Sequence, residues 1–179
     1  MLNQAATPTL PSAGADREPI QRAPLYTPQQ RARRDASAWT LIQGVLAPVQ
    51  FLVFLVSLAL VLRFLATGFG EQAATWSVVV KTLTLYTIMV TGCIWEKVVF
   101  DRWLFAPAFY WEDVFSMLVL ALHTAYVAAW LTGWLSPRQQ MGLALAAYAS
   151  YCINATQFIL KLRAARLDHA ASLAAGASA

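Results

Sequence analysis

The sequence predicts an all-α integral membrane protein, a bundle of four transmembrane helices. Three observations carry this. The chain of 179 residues is 59% hydrophobic and only 12% charged, about half the charged fraction of an ordinary soluble domain. Its charges leave long gaps: residues 36–62, 114–137 and 139–160 contain no Asp, Glu, Lys or Arg, and 75–95 is interrupted only by Lys81. Crossing the hydrocarbon core takes about 20 mostly apolar residues, so each gap is long enough. No stretch alternates with period two over barrel-strand lengths, which leaves helices whose amides are satisfied internally.

The predicted helices run over about 39–63, 75–98, 113–135 and 140–161. Residues 1–37 hold five of the eight prolines (Pro8, Pro11, Pro19, Pro24, Pro28) and no apolar run, so they read as a disordered cytoplasmic tail. They lack the apolar stretch and cleavage site of a signal peptide. Residues 168–179 read as an Ala-rich C-terminal tail with a frayed helix end. The folded unit is therefore 38–167.

Lys and Arg placement sets the orientation. Arg17, Arg22, Arg31, Arg33 and Arg34 precede the first span. The 64–74 loop has none, with Arg63 at its border. The middle loop has Lys97 and Arg102, the 134–140 loop only Arg138, and the C-terminal flank Lys161, Arg163 and Arg166. This alternation places both termini and the middle loop in the cytoplasm. The net charge of +4 is accounted for by orientation and anionic lipid, and no nucleic-acid partner is expected. Cys93 and Cys152 lie inside spans, where buried thiols are usually inert. No metal-ligand spacing, Gly-rich phosphate loop or Ser/His/Asp arrangement is present, so no metal site is predicted.

Polar residues within the spans fall on one face of each helix. At about 100° per residue, Ser150, Asn154, Gln157 and Lys161 cluster within about 60°, and Gln43, Gln50 and Ser57 within about 40°, with Thr40 beside them. Thr84, Thr87 and Thr91 share a face with Lys81 at its edge, and Glu112, Ser116 and His123 align. Such faces join helices by hydrogen bonds or mark function. By depth, Asn154, Gln157, Gln43, Glu96, Glu112 and Asp113 gather toward the cytoplasmic side. His123 sits near the centre, where it either bonds within the bundle or ligates a tetrapyrrole magnesium. Lys81, alone in the outer half, is expected to snorkel outward.

The middle loop is the most unusual stretch. Between Trp95 and Asp113 it carries Phe100, Trp103, Phe105, Phe109, Tyr110 and Trp111 among Glu96, Lys97, Asp101, Arg102 and Glu112. It reads either as an interfacial aromatic belt or as a platform for a large flat ligand, with Trp103 and Trp111 stacking and Lys97 and Arg102 meeting a carboxylate. A carboxyl held among apolar rings keeps its proton more readily, as a general acid must. An enzyme acting on an amphipathic molecule at the inner leaflet fits. So does a pigment-carrying subunit, and less well a small transporter, since no internal repeat is visible. A bis-His haem site is excluded with one intramembrane histidine.

The residues Trp95-Glu96-Lys97-Val98-Val99-Phe100, Trp103 through Met117, and Ala121 through Tyr126 resemble the 3-vinyl bacteriochlorophyllide hydratase family (2-vinyl in older numbering). So do Tyr26-Thr27-Pro28 with the Arg-rich run after it, Gln43 through Gln50, and Asn154-Ala155-Thr156-Gln157-Phe158. The likeness covers about Leu25 to Leu167. It implies a hydro-lyase of bacteriochlorophyll synthesis that adds water across the ring-A vinyl group of a chlorophyllide, giving a 1-hydroxyethyl group. It implies a magnesium tetrapyrrole substrate, no cofactor of the protein's own, and the lipid bilayer and other bacteriochlorophyll-synthesis enzymes as partners. The expected acid is Glu112 or Glu96, with Asp113 holding the water. Asn154, Gln157 and Gln43 are expected to orient water or a ring carbonyl, and His123 to ligate magnesium. Lys97, Arg102 and Lys161 would meet the free propionate. A non-catalytic chlorophyllide carrier is the alternative.

Overall fold

The structure is a computed structural model that describes residues 25–177; expectations for 1–24 and for the last two residues lie outside them. Five helices follow one another: α1 (Pro28–Ala36), α2 (Ala38–Thr67), α3 (Glu71–Phe100), α4 (Tyr110–Thr132) and α5 (Pro137–Ala177). Helices α2 to α5 are long and apolar enough to cross a membrane. Many of their large apolar side chains, Leu52, Val56, Leu83, Leu131 and Ile159 among them, face outward. In lipid this is the low-energy arrangement, since an apolar surround leaves no reason to hide them.

Two differences from the sequence expectation matter. Part of the expected N-terminal tail is helical. Thr27 and Gln30 form a reciprocal capping box, with Pro28 in the first turn, which satisfies free amide groups at the start of α1. Ser37 ends α1 and caps α2 by accepting from the Trp39 amide. Tyr26 is buried against Phe100, 5.7 Å between ring centres, and Phe109, 6.3 Å. The other difference is at the C-terminus. The last helix continues well past its expected end near 161, so Arg166 and His169 stand on helix.

The helices turn back on short connections, so neighbours run antiparallel. Helix α2 packs chiefly on α3, and α4 on α5, with α5 also against α2. The α2–α3 turn uses Gly68 (φ 76°) and Gly70 (φ 88°), and α4 ends at Gly133 (φ 64°). These are left-handed positions that glycine occupies without a Cβ clash. Asp101 (φ 62°) ends α3 in the same conformation. The Lys97 ammonium, hydrogen-bonded at 2.6 Å, holds the Asp101 carboxyl below the usual carboxylate range.

The interior divides along the bundle axis. Toward the 68–70 and 133–136 connections it is closely packed by Phe54, Val61, Phe64, Val78, Val119, Tyr126, Met141 and Tyr148. Lys81 lies in this half and does not snorkel. It is fully buried, its ammonium 4.0 Å from the Tyr151 ring centre and without a hydrogen-bond partner among the described residues. Of the expected polar face on α3, Thr84 and Thr87 bond only to carbonyls of their own helix, while Lys81, Thr82 and Leu85 turn inward. A long stretch without strong hydrophobic contrast leaves helix rotation to packing. Toward the other end a second cluster of Tyr26, Val99 and Phe109 closes the bundle. Between the two clusters lies a cavity.

Candidate active site

The cavity has a volume of about 870 Å³, within the range of sites that enclose a sizeable organic ligand. All five helices contribute. Its walls are mostly apolar: Ala47, Pro48, Phe51, Leu85, Ile88, Met89, Phe109, Phe158 and Ile159. A few polar groups interrupt them, namely Gln43 and Gln50 from α2, Cys93 and Glu96 from α3, Asp113 and Ser116 from α4, and Asn154 from α5. At the end nearest the chain termini stand Arg31, Arg34, Arg166 and His169.

Glu96 and Asp113 are both buried. Each is held by one backbone amide of the connecting loop. The Phe105 N–H donates to Asp113 Oδ2 at 2.9 Å, and the Ala106 N–H donates to Glu96 Oε2 at 3.1 Å. Two consecutive backbone amides thus hold the two carboxyls side by side. Across the cavity, Asn154 donates from Nδ2 to Ser116 Oγ at 2.8 Å. This leaves Asn154 Oδ1 buried with no hydrogen-bond partner among the described residues, as is Gln50 Oε1. Gln43 is anchored by donating to Thr91 Oγ1 at 2.7 Å.

The structure thus brings together Glu96, Asp113, Asn154 and Gln43, and sets the other expected site residues elsewhere. Glu112 is buried, and its Oε2 accepts from the Lys161 ammonium at 2.6 Å. Neither residue lines the cavity. Lys97 pairs with Asp101 on the outside, and Arg102 is exposed. Trp103 and Trp111 are 61% and 68% exposed and lie outside the cavity, so the part of the aromatic stretch that builds the wall is Trp95 and Phe109. His123 donates from Nδ1 to the Val119 carbonyl at 2.8 Å and lies among Tyr148 and the packed half. Gln157 is half-buried beside the cavity rather than in its wall.

Sequence reasoning missed the cationic mouth. Arg31 and Arg34 are one turn apart on α1, so they share a face. Arg31 donates to the His169 ring, linking α1 to the far end of α5. Arg34 pairs with Asp35 at 2.6 Å and stands 4.8 Å over the Tyr26 ring. Burial pushes the Tyr26 hydroxyl above its ordinary range, with Arg34 opposing. The capping box Thr27 to Gln30 was the available signal, since it marks a helix just where the arginines begin.

The 2-vinyl bacteriochlorophyllide hydratase family model matches residues 26–164. The chain is 65% identical to the 2-vinyl bacteriochlorophyllide hydratase of Cereibacter sphaeroides over 162 residues, 90% of this chain and 96% of that one. It is also 65% identical to the Rhodobacter capsulatus protein of the same name over 149 residues, 83% and 86% of the two chains. No solved structure matches it significantly. The matched region takes in α1, the loop that holds Glu96 and Asp113, and Asn154 on α5. The chain belongs to the 2-vinyl bacteriochlorophyllide hydratase family.

Proposed function

We propose that this chain is a hydro-lyase that adds water across the ring-A vinyl group of a bacteriochlorophyllide or chlorophyllide inside the cavity. The observation that carries the reading is the pair Glu96 and Asp113, set side by side in the wall of a mostly apolar cavity of about 870 Å³. Such a cavity suits a flat macrocycle, and two adjacent carboxyls suit a reaction that needs an acid and then a base at one place.

The two carboxyls divide the work by position. Glu96 lies near the C-terminal end of α3 and Asp113 in the first turn of α4. A helix dipole disfavours negative charge at its C-terminus and favours it at its N-terminus. The proton therefore resides on Glu96 and the charge on Asp113. Glu96 protonates the terminal vinyl carbon, turning CH2 into CH3. Positive charge develops on the carbon attached to the macrocycle, where conjugation spreads it and the Asp113 carboxylate stabilises it. A water, accepted by the free Asn154 Oδ1, attacks that carbon. Its surplus proton passes to the carboxyl pair, which returns to its starting state. Atoms and charge balance with water as the only co-reactant. Glu112, held by Lys161, has no part in these steps, and neither has His123.

The free propionate of the pigment fits the mouth formed by Arg31, Arg34 and Arg166, in place of Lys97, Arg102 and Lys161 expected from sequence. The placement of basic residues supports cytoplasmic termini, so the mouth opens to the cytoplasmic face of the inner membrane. The outward apolar surface meets lipid. An apolar pigment diffuses poorly through water, which makes neighbouring synthesis enzymes in the same membrane its suppliers and acceptors.

The test is incubation of detergent-purified protein with chlorophyllide a alone, following pigment mass and long-wavelength absorption. Gain of one water, with the blue shift of a vinyl group leaving conjugation, is the expected result. Tight binding with no change in mass means a carrier instead.

A further inference from the structure

We infer that the peptide between Phe105 and Ala106 is a positioning element for the carboxyl pair, and that it depends on a left-handed turn at Phe105. Phe105 has φ 57°, a conformation that costs a side chain with a Cβ and persists only where the surroundings require it. Phe105 is 38% exposed, and its ring lies 5.7 Å, centre to centre, from that of Tyr110, also exposed. What the conformation does is turn two successive amides the same way. The Phe105 N–H meets Asp113 Oδ2 and the Ala106 N–H meets Glu96 Oε2. Consecutive amides aimed at acidic oxygens form a small anion-holding concavity.

The next residues keep the turn in place. Ala106 is fully buried, and its carbonyl accepts from the Phe109 N–H at 2.8 Å at the start of α4. Each carboxyl has one oxygen held by an amide. Glu96 Oε1 and Asp113 Oδ1 accept no such amide among the described residues. The loop therefore joins the end of α3 to the start of α4 and also fixes which oxygen of each acid an amide holds. This inference rests on the hydratase reading for its kinetic consequence, though not for the geometry.

Two substitutions separate the backbone from the ring. Phe105→Gly and Phe105→Val both remove the aromatic ring, but only glycine adopts positive φ freely, whereas a β-branched residue resists it. Phe105→Gly should keep kcat within about twofold of wild type. Phe105→Val should lower kcat by about tenfold or more with KM nearly unchanged, since displacement of about 1 Å at reacting groups can cost a hundredfold. An infrared measurement of the protonated carboxyl stretch, assigned with Glu96→Gln, reads the same geometry without turnover. The band should shift in Phe105→Val and stay in Phe105→Gly. Equal loss in both variants would assign the role to the ring and overturn the inference. So would wild-type rates and an unmoved band in both. If the wild type hydrates no pigment while the band still moves in Phe105→Val alone, the positioning holds and the hydratase reading fails.

Discussion

The Lys161 ammonium donates to Glu112 Oε2 at 2.6 Å, tying the first turn of α4 to the middle of α5. Both groups belong to the expected site and both are taken by each other. The Glu112 side chain is 9% exposed and that of Lys161 26%, so the pair is well shielded on one side only. Glu112 also stands where the α4 dipole favours a carboxylate.

Removing one partner should therefore cost stability rather than chemistry. Lys161→Met leaves a buried carboxylate unpaired, and a loss of about 1–3 kcal/mol is expected. The double variant Lys161→Met with Glu112→Gln should recover part of it. Thermal unfolding in detergent measures both, and kcat per folded molecule should stay near wild type. A large fall in kcat for Glu112→Gln at unchanged stability would return Glu112 to the site.

Glu96→Gln should lower kcat by about a hundredfold to ten-thousandfold, the usual worth of a positioned general acid. Asp113→Asn should do likewise by removing the carboxylate that stabilises the cation. Pigment binding, followed by absorption change, should survive in both. Loss of binding along with turnover would mean that these residues grip the ligand rather than act on it.

Asn154 holds its orientation by donating to Ser116. Asn154→Leu removes the free acceptor and should reduce kcat by about tenfold or more at near-constant KM, the loss expected when one water-orienting bond worth about 1.5 kcal/mol goes. Ser116→Ala frees the amide to rotate, so a smaller effect of the same kind is expected. Steady-state kinetics of the two variants give the ordering.

Neutralising Arg34 and Arg166 together by glutamine should raise KM several-fold with kcat kept, because a carboxylate remote from the reacting carbon contributes binding that is the same in ground and transition states. Lys97→Gln and Arg102→Gln, on the outer side of the loop, should leave KM unchanged. Kinetics at low and high salt provide a second check, since the arginine contribution weakens as salt screens it.

Lys81 is the opposite case. Its ammonium is buried 4.0 Å from the Tyr151 ring centre, with no hydrogen-bond partner among the described residues. An unpaired charge in the membrane interior is costly, and an apolar residue of similar length removes that cost. Lys81→Met should raise the unfolding temperature and leave hydration unaltered. A fall in the unfolding temperature would show that the ammonium has a partner outside the described residues or in bound solvent.

Part of the candidate site was legible in the sequence. The depth of Glu96, Asp113, Asn154 and Gln43 follows from helix rise, and the chain brings these four together in one cavity wall. Trp103 and Trp111 were misplaced because an aromatic residue near a membrane surface looks the same in sequence whether it faces lipid or ligand. The arginines of α1 were missed as site residues because a Pro-rich polar stretch has no apolar periodicity to read. Their helix depends on a capping box and on Tyr26 docking against Phe100 and Phe109, a contact distant in sequence.

Length and charge gaps were enough to locate four helices long and apolar enough to cross a membrane, since the bilayer imposes a minimum run of apolar residues that composition reveals directly. They also placed the acidic and amide groups toward one end of the bundle. The tertiary structure alone decided which carboxylate meets a lysine and which meets another carboxylate. It also decided that Lys81 turns inward and that the mouth is lined by arginines. The physical reason is rotation. In an apolar solvent a helix gains little from any particular face being outward, so the direction of each polar side chain is settled by the neighbours it finds on other helices and on the loop between α3 and α4.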